Sequence, residues 1–78
     1  MYLHAGRDVM VFNSTIVAIL DRQVLARSED TRQFFDRLRA MDRVYGNLHQ
    51  AKSLIITEDA VICSPISAMT LVRRERPR

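Results

Sequence analysis

The stretch from Ala51 to Leu71 constrains the fold more than any other part of the chain. Leu54-Ile55-Ile56 and Val61-Ile62-Cys63 are short apolar runs on either side of Glu58-Asp59. Their β-branched residues favour strands and the acidic residues between them favour a turn. A β-hairpin is therefore expected, Leu54 to Thr57 against Ala60 to Cys63. Ser64-Pro65 then stops the second run. Serine suits a helix cap and proline the first helical position, so Ile66 to Leu71 are expected to form one or two helical turns packed by Ile66, Met69 or Leu71. A bent edge strand is the alternative.

Two strand-like segments also precede the middle of the chain. Tyr2-Leu3-His4 alternates before Gly6, and Val9 to Phe12 favours a strand. Asn13-Ser14-Thr15 forms the turn before Ile16 to Leu20, which is apolar at every position. Such a strand suits a central place in a sheet, or one covered by a neighbouring subunit. From Ser28 the period becomes helical. Ser28 can cap, Glu29 and Asp30 place negative charge on the first turn, and Phe34, Leu38 and Met41 recur at helical spacing with Phe35 beside them. A helix over 29–43 follows, with Arg32 and Asp36 four apart on its outer side and Gly46-Asn47 in the turn that ends it. The fold class expected is α+β: a small antiparallel sheet of about five short strands, one amphipathic helix across a face, and a short C-terminal helical turn.

Size and charge bear on function. A chain of 78 residues buries only about 60% of the surface its unfolded form exposes. One cysteine rules out an intramolecular disulfide, so self-association is the expected source of further burial. Residues 1–72 are expected to form one regulatory domain and 73–78 a basic, disordered tail. The formal charge of +3 resides wholly in that tail, which holds four arginines and one glutamate; the other 72 residues balance. A neutral body binds nucleic acid only if its charges segregate into faces. No apolar run approaches the roughly 18 residues of a membrane span and no signal-peptide pattern opens the chain, so a cytoplasmic protein is expected.

Catalytic chemistry finds little footing. Glu58-Asp59 sits at a hairpin tip, where carboxylates stay ordinary. Cys63 lies in an apolar strand, as a small buried hydrophobe does, although the proposed helix start after it could lower its pKa. His4, Asp8 and His49 lack the spacing of metal motifs, and Gly6 and Gly46 alone cannot build a phosphate loop. No enzyme activity, cofactor, metal or small-molecule substrate is expected.

Met1-Tyr2-Leu3-His4 with Gly6 and Asp8-Val9, then Val17-Ala18-Ile19-Leu20-Asp21, Lys52-Ser53, Ser64-Pro65-Ile66-Ser67 and Thr70-Leu71 together resemble the extracellular matrix regulatory proteins of the RemA/RemB type, more on the RemB side. The matches cover nearly the whole chain. The resemblance implies a non-enzymatic, LytTR-like regulator that assembles into rings and acts on double-stranded DNA at genes for biofilm matrix. In the DNA-binding members, basic residues occupy the loops before the strands matching Ile16–Leu20 and Leu54–Thr57. Here those loops hold Asn13-Ser14-Thr15 and His49-Gln50-Ala51-Lys52, and only Lys52 keeps a charge. The expected DNA-binding residues are accordingly Lys52 and the tail's Arg73, Arg74, Arg76 and Arg78 at phosphates, with Asn13, Ser14, His49 and Gln50 supplying neutral hydrogen bonds. The rival expectation is a self-assembling protein-interaction scaffold that makes no direct DNA contact.

Overall fold

The computed structural model describes residues 2–6, 10–12 and 15–75, with the side chain of Glu75 excepted. The fold is α+β. A four-stranded sheet forms its middle, in the order β3-β5-β6-β4, from β3 (Ile16–Asp21), β5 (Ser53–Thr57), β6 (Val61–Ser64) and β4 (Val44–Tyr45). The expected hairpin is β5–β6, antiparallel with Leu54 opposite Cys63 and Ile55 opposite Ile62. Thr57 N–H donates to the Ala60 carbonyl at 2.9 Å and closes the Glu58-Asp59 turn. Both strands are buried along almost their whole length, because apolar layers cover both faces of the sheet.

One layer is helical. α2 (Glu29–Ala40) starts at Ser28, whose Oγ accepts from Thr31 N at 3.2 Å. Ser28 also ends a one-turn helix, α1 (Val24–Arg27), by donating its N–H to the Val24 carbonyl at 2.9 Å. Phe35 and Leu38 of α2 meet Leu54, Val61 and Cys63, with Phe34 at the margin. The aromatic pair is core, as expected, and Arg32 and Asp36 form an ion pair at 3.5 Å on the solvent side.

The helix is shorter than the 29–43 expected. Asp42 takes a left-handed φ of 57°, and Arg43 N–H returns to the Leu38 carbonyl at 2.9 Å while Asp42 N–H reaches Arg39 at 3.1 Å. This is a Schellman closure with aspartate where glycine is usual. Met41, at the end of the expected apolar stripe, is 57% exposed. Gly46 plays no part in that ending. It follows β4 at φ 89°, and a β-carbon there would overlap the Cys63 carbonyl oxygen.

The other layer is composite. β1 (Tyr2–His4) and β2 (Met10–Phe12) make a separate antiparallel pair, and α3 (Ala68–Glu75) lies beside it. Leu3, Ala5, Val11 and Leu71 cover Ile55 and Ile62. β2 thus pairs with β1, and β3 pairs with β5, whereas the sequence suggested a β2–β3 turn at Asn13-Ser14-Thr15. Asn13 and Ser14 lie outside the described residues. The sheet also differs from an all-antiparallel one, since β4 runs parallel to β6.

β3 lies at the edge of the sheet, not at its centre. Its unbroken apolar run has a local cause. A bulge falls between Ile16 and Ala18, leaving Val17 65% exposed. Beyond it Ala18 and Leu20 stand opposite Ile56 and Leu54 on the helical side, while Ile19 stands opposite Ile55 on the other side. Both faces of the strand are used, as the pattern implied, but one edge remains open.

The exit from β6 also departs from expectation. Ser64 does not cap a helix. It is fully buried, donating to the Ala5 carbonyl at 2.7 Å and accepting from Ile66 N at 3.1 Å. Ser53, its neighbour across the ladder, donates to the Ile66 carbonyl at 2.6 Å. Ser67 takes the capping role, accepting from Thr70 N at 3.3 Å. Leu71 is buried, Ile66 half-buried, and Met69 exposed. The helix continues to Glu75, so Arg73 and Arg74 stand in its last turn rather than in the unstructured tail expected from 73 onward. Arginines there suit the negative end of the helix dipole.

Candidate functional site

Three connections meet at the end of the sheet where β3 finishes and β5 begins: the β3–α1 turn, the segment 46–52, and the exit from β6. The middle one is tightly built. Asn47 Oδ1 accepts from His49 N at 2.9 Å and starts a single 3₁₀ turn, Leu48–Gln50. Ala51 is buried and pins that turn to the sheet. Lys52 is then clamped through its main chain, its N–H donating to the Ser64 carbonyl at 2.7 Å and its carbonyl accepting from Arg22 N at 3.1 Å. The exposed side chains of His49, Gln50 and Lys52 are therefore carried on a rigid base.

Lys52 borders a surface depression with Asp21, Arg22, Gln23 and Ser67. Asp21, its acid, is engaged locally, accepting from Gln23 N at 2.8 Å. Arg22 continues the surface toward Arg39 of α2, and Arg39 shares a further depression with Asn47, Leu48 and His49. Arg22, Arg39 and Lys52 thus form one cationic margin. Glu58 and Asp59 occupy the turn at the far end of the β5–β6 ladder, where Asp59 pairs with Arg43 at 3.1 Å.

Arg22 and Arg39 carry no sequence signal of their own. Arg22 follows a strand by one residue, and Arg39 lies among several helical arginines, so nothing local distinguishes either. The structure brings His49, Gln50 and Lys52 together. Arg73 and Arg74 make contacts with their own helix and with β1: Arg74 Nη1 donates to the His4 carbonyl at 3.2 Å, and Arg73 Nη2 lies 3.7 Å from Met69 Sδ. Asn13, Ser14, Arg76 and Arg78 fall outside the described residues.

Cys63 lies beneath this margin. Burial raises its thiol pKa above the ordinary value, and the charges of Arg22 and Arg39 offset only part of the rise. The thiol is thus held protonated and poorly nucleophilic. No group of three or more potential metal ligands occurs among the described residues. Among those residues no helix is long and apolar enough to cross a membrane.

The family model of RemA-like proteins, described as extracellular matrix regulatory protein A-like, matches residues 2–74. The chain belongs to the RemA-like family. A search of curated proteins gave no match. The RemA-like match runs through every element described above, from β1 to the last turn of α3. It also takes in the whole of the 46–52 segment.

Proposed function

We propose that this RemA-like chain is a cytoplasmic, self-associating regulator of extracellular matrix genes, and that it binds double-stranded DNA through phosphate contacts at the 46–52 margin. The observation that carries the reading is the gathering of Lys52, Arg22 and Arg39 at one end of the sheet, away from Glu58 and Asp59. Lys52 and Arg22 meet phosphates, while His49 and Gln50 add hydrogen bonds that bring no counterion release. Each copy alone binds weakly. Repetition in an assembly converts later contacts into intramolecular ones and raises the overall affinity.

Self-association has two surfaces to draw on. The outer side of the β1–β2 pair presents Tyr2, Met10 and Phe12 to solvent, with the Tyr2 and Phe12 rings 5.0 Å apart. β3 offers an open sheet edge beside the exposed Val17. These same apolar surfaces favour a second reading, a protein-interaction scaffold without DNA contact.

Salt dependence separates the two readings. Duplex binding is measured at rising salt for the parent chain, Lys52→Gln, and the double change Arg73→Gln with Arg74→Gln. Each lost phosphate contact should lower the slope of log K against log salt by about 0.9. Lys52→Gln is expected to do so, and His49→Ala to weaken binding without altering the slope. Absence of any shift at salt as low as about 50 mM, with assembly intact, overturns the DNA reading in favour of the scaffold.

A further inference from the structure

The depression between α1 and α2 shares Arg22 and Arg39 with the cationic margin, but its apolar lining plays no part in that reading. Its volume is about 370 Å³, within the range of about 300–1,000 Å³ usual for small-molecule sites. Its wall is cationic: Arg22 enters from the β3–α1 turn, and Arg32 and Arg39 from α2. Arg32 is held by Asp36, the acid in the lining, whereas neither Arg22 nor Arg39 forms an ion pair with a described residue. Gln23 adds a donor, since its Oε1 is taken by Arg27 at 3.0 Å and its amide NH₂ is left over. The floor is apolar, made by Leu25, Phe35 and Leu48.

Arg22 and Arg39 are solvent-exposed guanidiniums without an ion-pair partner among the described residues, and they stand beside an apolar floor. A dianion with a hydrophobic body matches both features. A phosphomonoester carries roughly −1.5 to −2 charge at neutral pH and accepts the paired N–H groups of arginine. A carboxylate brings half that charge. Inorganic phosphate would leave the floor uncovered.

We propose that this depression binds a small organic phosphate of the mononucleotide class, its phosphate between Arg22 and Arg39 and its base over Leu25 and Leu48. The proposal goes beyond the regulatory reading and does not rest on it.

The test is calorimetric titration of the full chain with AMP, GMP, CMP and UMP in turn, and with adenosine and inorganic phosphate as controls. At least one nucleotide should saturate, with adenosine and phosphate each about tenfold weaker or worse. Arg39→Gln should weaken that nucleotide by about tenfold, the loss expected for one charge-assisted contact. Leu48→Ala should weaken the nucleotide but leave inorganic phosphate unchanged. Lys52→Gln should spare nucleotide binding while reducing duplex binding, which keeps the two readings distinguishable. The proposal is overturned if none of the four nucleotides saturates by millimolar concentration. Equal affinity for nucleotide and inorganic phosphate overturns it too, as does unchanged nucleotide affinity in both Arg22→Gln and Arg39→Gln when their circular dichroism and melting match the parent.

Discussion

The two faces of the central sheet are both apolar, yet they are closed by different means. On one face the amphipathic helix α2 supplies Phe35 and Leu38 as the main lid, with Val24 and Leu25 of α1 and Leu48 packed at its margin. On the other, the lid is assembled from a two-stranded pair and α3, with Leu3, Val11 and Leu71 coming from three separate elements. The first lid is held almost wholly by side-chain packing. The second also depends on Ser53 and Ser64, whose buried hydroxyls fasten its loops to main-chain carbonyls. A lid built mainly on one helix concentrates stability in a few large side chains; a composite lid spreads it over polar ties and leaves Tyr2, Met10 and Phe12 facing outward.

Substitution can break this contrast. Phe35→Ala should have the largest effect, a loss of about 3–5 kcal/mol in urea unfolding. A marginal domain has little more than that to lose. Cys63, which lies under the same lid, should then react readily with thiol reagents. If Leu3→Ala cost more than Phe35→Ala, the ranking of the two lids would be reversed. Ser64→Ala should come next, at about 1–3 kcal/mol, because it leaves the Ala5 carbonyl and Ile66 N–H without their partner. Hydrogen exchange should then speed up in β1, β2 and α3 before α2. Uniform acceleration across both layers would show that the ties do not act locally. Asp42→Gly should give the smallest change, a gain of about 0.5–1 kcal/mol, by removing the left-handed strain at the end of α2. Thermal melting checks this, and a loss of stability would mean that the Asp42 side chain contributes to the cap.

The contrast also explains what could be read from the chain. The helical lid was legible because a cap, an acidic first turn and an apolar stripe all occur within a few consecutive residues. The β5–β6 hairpin was legible for the same reason. The composite lid was not: β2 pairing with β1, β3 joining β5 and β4 running parallel to β6 are choices among distant partners, and local pattern carries no information on them. Ile16–Leu20 is instructive, since its apolar run correctly signalled two covered faces but not an edge position made possible by a bulge. At Ser64 the residue types suited a cap, but the burial of the β6 end turned the hydroxyl to the Ala5 carbonyl instead. In the candidate site, Lys52, His49 and Gln50 were adjacent in sequence and found together. Arg22 and Arg39 joined them only through folding, and the arginines at 73 and 74 were drawn onto a helix by the buried Leu71 beside them.

Gly46 has a consequence out of proportion to its size. Its α-carbon rests against the Cys63 carbonyl with no room for another carbon, so it fixes how far the chain from Asn47 to Lys52 stands off the strand beneath. Adding one methyl group there would lift that whole platform and shift the spacing of its charges while leaving every charge in place. The reach of this surface toward a partner is thus metered by the residue that contributes no side chain at all.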